Sequence, residues 1–401
     1  MPVAVSSLIR LAGTVGDHEC GDGLVPLVVW RVLETVPDPR RARGRRHGLA
    51  TVLAVALGAV LAGARSLSAI ADWAGDLPAW SWRRWRIARC SPSLSTIRRV
   101  LMAVDADVLD AVLHAWLAAV EPAPSAPREA GGAGLRAVAV DGKTARGGLR
   151  ADGTRVQLFS MVAHATGMPL GQVEIVKGDE VGAFATALDR LDLHGLVVTG
   201  DALHTQRAHA HYLHRHGGHY FFLAKANQPT LYARLEALPW SRVPQAHLEQ
   251  GKGHGRRETR TLQVISALRP RLPFPHARQA VRIVRERVEV ATGVYEREVV
   301  YAITDLRDDV AGPAVLARLA RGHWAIENKI HYVRDVTFAE DASRIRTGNA
   351  PRVMATLRNI AIGLARAAGQ PNIATATRHC ANRIDNVITI LDQPARKTVT
   401  A

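Results

Sequence analysis

Apolar residues recur at helical spacing from Leu24 to about Val120, and this pattern predicts a run of helices. Gly48–Ala64 reads as a buried helix, followed by helices over Ser66–Trp73, Ser95–Ala103 and Ala106–Ala119. Ser66 and Ser95 are candidate N-caps, because a serine hydroxyl satisfies a free backbone donor at a helix start. Residues 1–23 lack this order. Residues 121–134 carry three prolines and three glycines and read as a linker. Beyond it the period shortens. Ala137–Val140 is a short strand ending at Asp141, and Val156–Ala165 and Leu170–Lys177 are two more. A helix over Val181–Leu193, a strand over Leu196–Thr199, a helix over Thr205–His216 and a strand over Tyr220–Leu223 follow. That order predicts an α/β fold, a mixed sheet flanked by helices. Residues 243–304 interrupt it with three arginine-rich strands, over Glu258–Ile265, Val281–Val290 and Val294–Ile303, and read as a β insertion. Helices return at Pro313–Arg321, His323–Val333 and Pro351–Ala368, leaving residues 371–401 as a tail. The expected units are a helical N-terminal domain over 24–120 and a sheet domain over 135–370.

Composition narrows the classes. With 47% apolar and 22% charged residues over 401 positions, the chain is not globally disordered, and its length suits two or three domains. The most apolar run, Leu49–Ala64, is shorter than the ~20 residues a membrane span needs. No signal peptide and no membrane partner are expected, and the cytoplasm is the expected compartment. Cys20, Cys90 and Cys380 lie far apart and form no zinc-type pair. The net charge is +16, although only six of the 52 basic residues are lysine. Arginine enrichment alone would not hold the acids so low, so a polyanionic partner is implied, nucleic acid first.

Asp141 and Asp201 each follow a buried strand. An ionised carboxylate there is costly unless it is paired or bound to metal. Two at neighbouring strand ends form a hard-oxygen site for Mg2+ or Mn2+. A third carboxylate is expected from a late helix. Glu327, in His323-Trp-Ala-Ile-Glu-Asn, leads, with Asp335, Glu340 and Asp341 in competition; Arg334 lies about two turns beyond Glu327. Asp141-Gly-Lys-Thr imitates a phosphate loop but has Ala137 where the leading glycine belongs. His204, His209, His211, His214, His216 and His219 have no zinc-ligand spacing and read as exposed helix positions, except His204, three residues past Asp201.

Basic residues suggest where DNA lies. Six arginines and no acid fall between Leu77 and Val104, interleaved with Trp80, Trp82 and Trp85, and Arg98 and Arg99 are placed to meet phosphates. The tryptophans equally suit a helical core. Arg40, Arg41, Arg43, Arg45 and Arg46 form a second cluster, and Arg256, Arg257 and Arg260 a third. Lys225, Asn227 and Gln228 follow a strand end beside the expected site.

Several motifs together resemble one family. They are Pro37-Asp-Pro-Arg, Arg45-Arg-His-Gly-Leu, Ser95-Thr-Ile-Arg-Arg-Val-Leu, Val140-Asp-Gly-Lys-Thr, Thr199-Gly-Asp-Ala-Leu-His-Thr-Gln, Lys225-Ala-Asn-Gln, His323-Trp-Ala-Ile-Glu-Asn and Asp335-Val-Thr-Phe-Ala-Glu-Asp. In this order they resemble the bacterial insertion-sequence DDE transposases of the ISAs type, which include the H-repeat-associated proteins. The resemblance covers roughly residues 24–370. It implies an RNase H-like fold, with Asp141, Asp201 and Glu327 as the catalytic, metal-binding acids and Mg2+ or Mn2+ as cofactor. With the basic positions above, the expected DNA contacts are Lys143, His204, Lys225, Asn227, Gln228, His323, Trp324, Arg334, Arg98 and Arg99. Double-stranded DNA, both element ends and target, is the implied partner of a homodimer or larger assembly at the nucleoid. The family's Tyr and Arg before the glutamate are Ala320 and His323 here, and Arg334 stands in its lysine place. Two other readings stay open, a non-catalytic DNA-binding remnant and an actin-like kinase or ATPase.

Overall fold

The structure is a computed structural model and describes residues 27–120, 135–150, 152–253, 255–266 and 272–392. The expected linker 121–134 and the loose start 1–23 lie outside the described residues.

The N-terminal helices are α1 (Val28–Glu34), α2 (Leu49–Leu61), α3 (Leu67–Gly75), α4 (Leu94–Ala103) and α5 (Ala106–Val120). Every residue of α2 is buried. A helix apolar on all sides has to be covered on all sides, and α1, α3 and α4 surround it together with a late helix. Gly58 of α2 lies where a Cβ would come within 2.6 Å of Trp85 and 2.9 Å of Trp73, so the two rings close over the bare backbone. Trp85 is thus core, whereas Trp80 is 54% exposed. Ser66 caps α3 as expected, accepting from Ala69 N at 3.1 Å. Ser95 does not cap α4. Ser93 does, and the helix starts at Leu94.

One nine-stranded sheet follows: β1 (Arg136–Leu149), β2 (Arg155–Ala163), β3 (Pro169–Glu174), β4 (Leu196–Gly200), β5 (His219–Ala224), β6 (His247–Gly253), β7 (Arg256–Ser266), β8 (Gln279–Glu289) and β9 (Tyr295–Thr304). Its order is β3-β2-β1-β4-β5-β9-β8-β7-β6. β1 runs antiparallel to β2 and parallel to β4, and β4 runs parallel to β5. This is the mixed α/β architecture expected of an RNase H-like fold. One expectation is corrected. β1 does not end at Asp141 but continues to Leu149, held by pairing with β2. The 243–304 strands are antiparallel, and β9 pairs with β5 so that they extend the same sheet; the edge strand β6 was not anticipated.

Helices α6 (Glu180–Leu188), α7 (Arg207–Arg215) and α8 (Pro229–Glu236) join the chain between strands. Phe184, Leu213 and Leu235 from these helices pack with Val140, Phe159 and Phe222 on one sheet face. Leu316 and Leu319 of α9 (Pro313–His323) cover Val197, Phe221 and Val281 on the other. A π-turn (Glu327–His331), α10 (Tyr332–Val336), α11 (Ala350–Ala367), α12 (Ile373–Asn382) and α13 (Ile384–Leu391) complete the chain. Residues 373–391, read as tail, are two helices packed on α2 and α11. The N-terminal helices and α11–α13 share one hydrophobic core.

A buried carboxylate ties this helical core to the sheet. Asp110 of α5 accepts from Thr356 of α11 at 2.8 Å, from Gln172 N of β3 at 3.2 Å and from Arg190 at 3.2 Å. Burial pushes its pKa up, but the charge and hydrogen bond of His114, with Arg190 and Gln172, hold it below the ordinary value.

Candidate metal centre

The parallel pairing of β1 and β4 decides where the first two acids meet. Ala139 is opposite Thr199, and two residues further on each chain are Asp141 and Asp201. Both carboxylates therefore reach one edge of the sheet, where open α/β sheets place their sites. Asp201 closes β4 and caps the following turn, accepting from Leu203 N at 2.9 Å. Asp141 is pushed up to about 6, first by burial and then by the negative charges of Asp201 and Glu180, against the opposing pull of His331.

The third acid arrives from the helical side. In the π-turn, residues four apart, Glu327 and His331, both face the sheet edge. His331 Nδ1 lies 3.2 Å from Glu327 Oε2 and 3.6 Å from Asp141 Oδ2. One ligand atom each of Asp141, Glu327 and His331 lies within 4.8 Å of the others, a spacing that could hold a metal ion. The hydrogen bond from His331 lowers the pKa of Glu327, with the charges of His331 and Lys143 adding to it against the effect of burial. π-turns inside helices are frequent at functional sites. The three competitors of Glu327 are engaged elsewhere. Asp335 takes Lys143 Nζ at 2.6 Å, Glu340 is buried against Arg334 and Arg358, and Asp341 accepts from Arg146 N at 3.1 Å.

The residues expected to touch DNA divide sharply. Lys225, Asn227, Arg98 and Arg99 are exposed and Gln228 is half-buried. Asn227 Nδ2 also donates to Ala202 O at 3.0 Å, bracing the turn after Asp201. Trp324 is 46% exposed, and the Arg285 guanidinium of β8 lies 5.1 Å from its ring centre, so the extended sheet reaches the rim of the site.

Four assignments are corrected. Arg334 is fully buried, its guanidinium bound to Glu340 at 2.7 Å and to Gln172 at 3.3 Å, so no phosphate can reach it. His204 is also fully buried, stacked with Phe184 and His209 and edge-on to Phe159. His209 is buried too, and so is not the exposed helix position expected of the histidine run. His323 is nearly covered, 3.2 Å from the Thr199 hydroxyl, and burial holds it down at about 4, so it is neutral. The Lys143 ammonium is committed to Asp335. Both of these side chains are largely buried. In the Arg40 cluster, Arg40 and Arg45 both bind Asp38, at 2.9 and 3.3 Å.

Sequence reasoning missed His331 and Glu180. His331 lies four residues after Glu327, a spacing that places both on one helical face and could have revealed it. Glu180 had no such signal.

Residues 132–364 match the family model described as Transposase DDE domain, and residues 30–117 match the one described as DDE_Tnp_1-associated. The chain belongs to the transposase DDE domain family. A relative in Escherichia coli O157:H7 named "Putative transposase YncI" is 27% identical over 83% of this chain and 86% of its own. The "H repeat-associated putative transposase YhhI" of Escherichia coli K12 is 25% identical over 83% and 88%. An uncharacterized protein from the dhlA 3' region of Xanthobacter autotrophicus is 31% identical over 58% and 78%. In this transposase domain no described helix is long and apolar enough to cross a membrane.

Proposed function

We propose that this protein is a metal-dependent DNA transposase. It binds the ends of an insertion sequence, cleaves DNA beside them and joins the 3'-hydroxyl ends to target DNA. One observation carries the reading: Asp141 and Asp201 share a sheet edge, and of four late acids only Glu327 approaches Asp141 among the described residues.

The donor set fits hard divalent cations. Three carboxylates supply oxygen, and Asp141, pushed up to about 6, is an anion left short of compensating positive charge. Asp141, Asp201 and Glu327 would hold Mg2+ or Mn2+. Bound there, two such ions supply Lewis-acid charge for attack on the scissile phosphate. His331 holds the Asp141 and Glu327 carboxylates toward each other. Lys225 at the rim offers a phosphate contact and Trp324 an aromatic face for an unpaired base. Arg98 and Arg99 on α4 present a second basic surface, in keeping with the +16 charge. Two element ends have to be handled together, so a homodimer or larger assembly forms on DNA, in the cytoplasm at the nucleoid.

The test is cleavage of a supercoiled plasmid carrying the gene's own flanks, in Mg2+, Mn2+ or EDTA. Metal-dependent nicks at the element boundary, lost in Asp201→Ala and Glu327→Gln, are expected. Salt-sensitive binding without cutting would leave a DNA-binding remnant, and nucleotide binding without DNA binding would favour a kinase or ATPase.

A further inference from the structure

One more carboxylate reaches this sheet edge from the first turn of α6. Asp179 caps that helix, accepting from Gly182 N at 2.7 Å, and Glu180 is its first residue. The Glu180 carboxylate lies over the α-carbon of Gly142, the neighbour of Asp141, so closely that a Cβ at 142 would fall inside it. Glycine is what leaves the room. The charge of Glu180 acts on Asp141 in the same sense as that of Asp201.

The orientation of Glu180 is fixed from beneath. His204 Nε2 lies 3.1 Å from Glu180 Oε1, and His204 belongs to the turn directly after Asp201. Its ring has no exposed surface and stands 5.1 Å from Phe159 and 5.8 Å from Phe184, centre to centre. Carboxylates that ligate metal ions are themselves held by outer hydrogen bonds, and His204 supplies such a bond to Glu180. Among the described residues no hydrogen bond reaches Glu180 Oε2.

We propose that Glu180 is a fourth carboxylate ligand of the Asp141–Asp201–Glu327 centre and that His204 is the positioning residue that aims it. This rests on the metal-dependent reading above. Two dications carry four positive charges, and three carboxylates leave one uncompensated until DNA supplies a phosphate. With Glu180 the balance closes without DNA, so the free protein holds both ions before substrate arrives.

The experiment counts bound Mn2+ on the full chain without DNA, from the paramagnetic resonance signal of the free ion. Wild type, Glu180→Gln, Glu180→Asp and Asp201→Asn are compared, and thermal unfolding is followed in EDTA. The glutamine can still accept from His204, so Glu180→Gln keeps the fold. Two ions are expected on wild type. Glu180→Gln should weaken one of them at least ~10-fold at unchanged melting in EDTA, and Glu180→Asp should recover part of the loss. Wild-type binding by Glu180→Gln, with loss in Asp201→Asn, would overturn the proposal and leave Glu180 as a partner of His204 alone. Wild-type binding by both variants would instead overturn the metal-dependent reading itself.

Discussion

Replacing Glu340 by glutamine tests whether Arg334 is structural. Glu340 is 2% exposed and receives Arg334 at 2.7 Å and Arg358 at 2.9 Å, both of them buried. Burial pushes its carboxyl up, but the charges of Arg334 and Arg358, the Arg334 hydrogen bond and the charge of Lys143 prevail and hold it down from 4.5 to about 2. A fall of that size corresponds to about 3 kcal/mol at ~1.4 kcal/mol per pKa unit. Breaking a buried ion pair by removing one partner costs roughly 3–5 kcal/mol, which agrees. Because the folded pKa is depressed, the stability is present above pH 4.5 and is lost as pH falls toward 2. Urea unfolding of wild type and Glu340→Gln at pH 7 should therefore differ by about 3 kcal/mol, and at pH 3 by about half of that. A difference below ~1 kcal/mol at pH 7, or one that does not shrink at pH 3, would refute the assignment.

Three further outcomes are expected. In EDTA at pH 8, Asp141→Asn should be more stable than wild type by about 1–3 kcal/mol, because a raised carboxyl pKa makes the ionised form costly. That gain should fade as pH drops through 6 toward 3.8, and urea titrations showing a pH-independent or opposite effect would contradict it. Replacing Arg98 and Arg99 by alanine should lower the slope of log DNA affinity against log salt by about 1 per lost phosphate contact, with melting unchanged; an unaltered slope removes α4 from the interface. Gly58→Ala should cost about 1–3 kcal/mol in chemical unfolding, because the added methyl meets Trp85 and Trp73; wild-type stability would mean the rings yield.

What was legible in the sequence followed burial. The unbroken apolar run of α2 and the short run of β4 declare themselves, and with β4 goes the placement of Asp201. The second half of β1, Gly142–Leu149, is polar and rich in glycine, and only the ladder to β2 makes it a strand. β6 is an exposed edge whose alternation is faint. α12 and α13 are only 10 and 8 residues long, so they gain order from packing on α2 and α11. The larger failure concerned charge. An arginine or histidine in a sequence reads as surface, and nothing in the spacing of Arg334 or His204 discloses a buried partner. Glu327 was readable because its motif, residues 323–328, is one short continuous stretch running from the end of α9 into the π-turn. Glu180 was not, since its nearness to Gly142 arises only when α6 crosses β1.

The N-terminal helices are not a detachable DNA-binding unit, because the placement of Glu327 depends on them. Ile326 and Ile330, on either side of the site-facing positions of the π-turn, are buried in the core built by α1–α5 and α11–α13. Asp110 of α5 adds a buried polar joint to β3 and α11. A fragment beginning at residue 135 would expose the faces of α11 that pack on α2 and α5 and would leave Gln172, Arg190 and Thr356 without Asp110. Burying unpaired polar groups beside a stripped apolar face costs several kcal/mol, on the order of a whole domain's ~5–15 kcal/mol of stability. Such a fragment should aggregate or melt without a cooperative transition, and its acids should bind Mn2+ far more weakly than the full chain. A soluble fragment with a sharp thermal transition and undiminished Mn2+ binding would show that the sheet sets the position of Glu327 by itself.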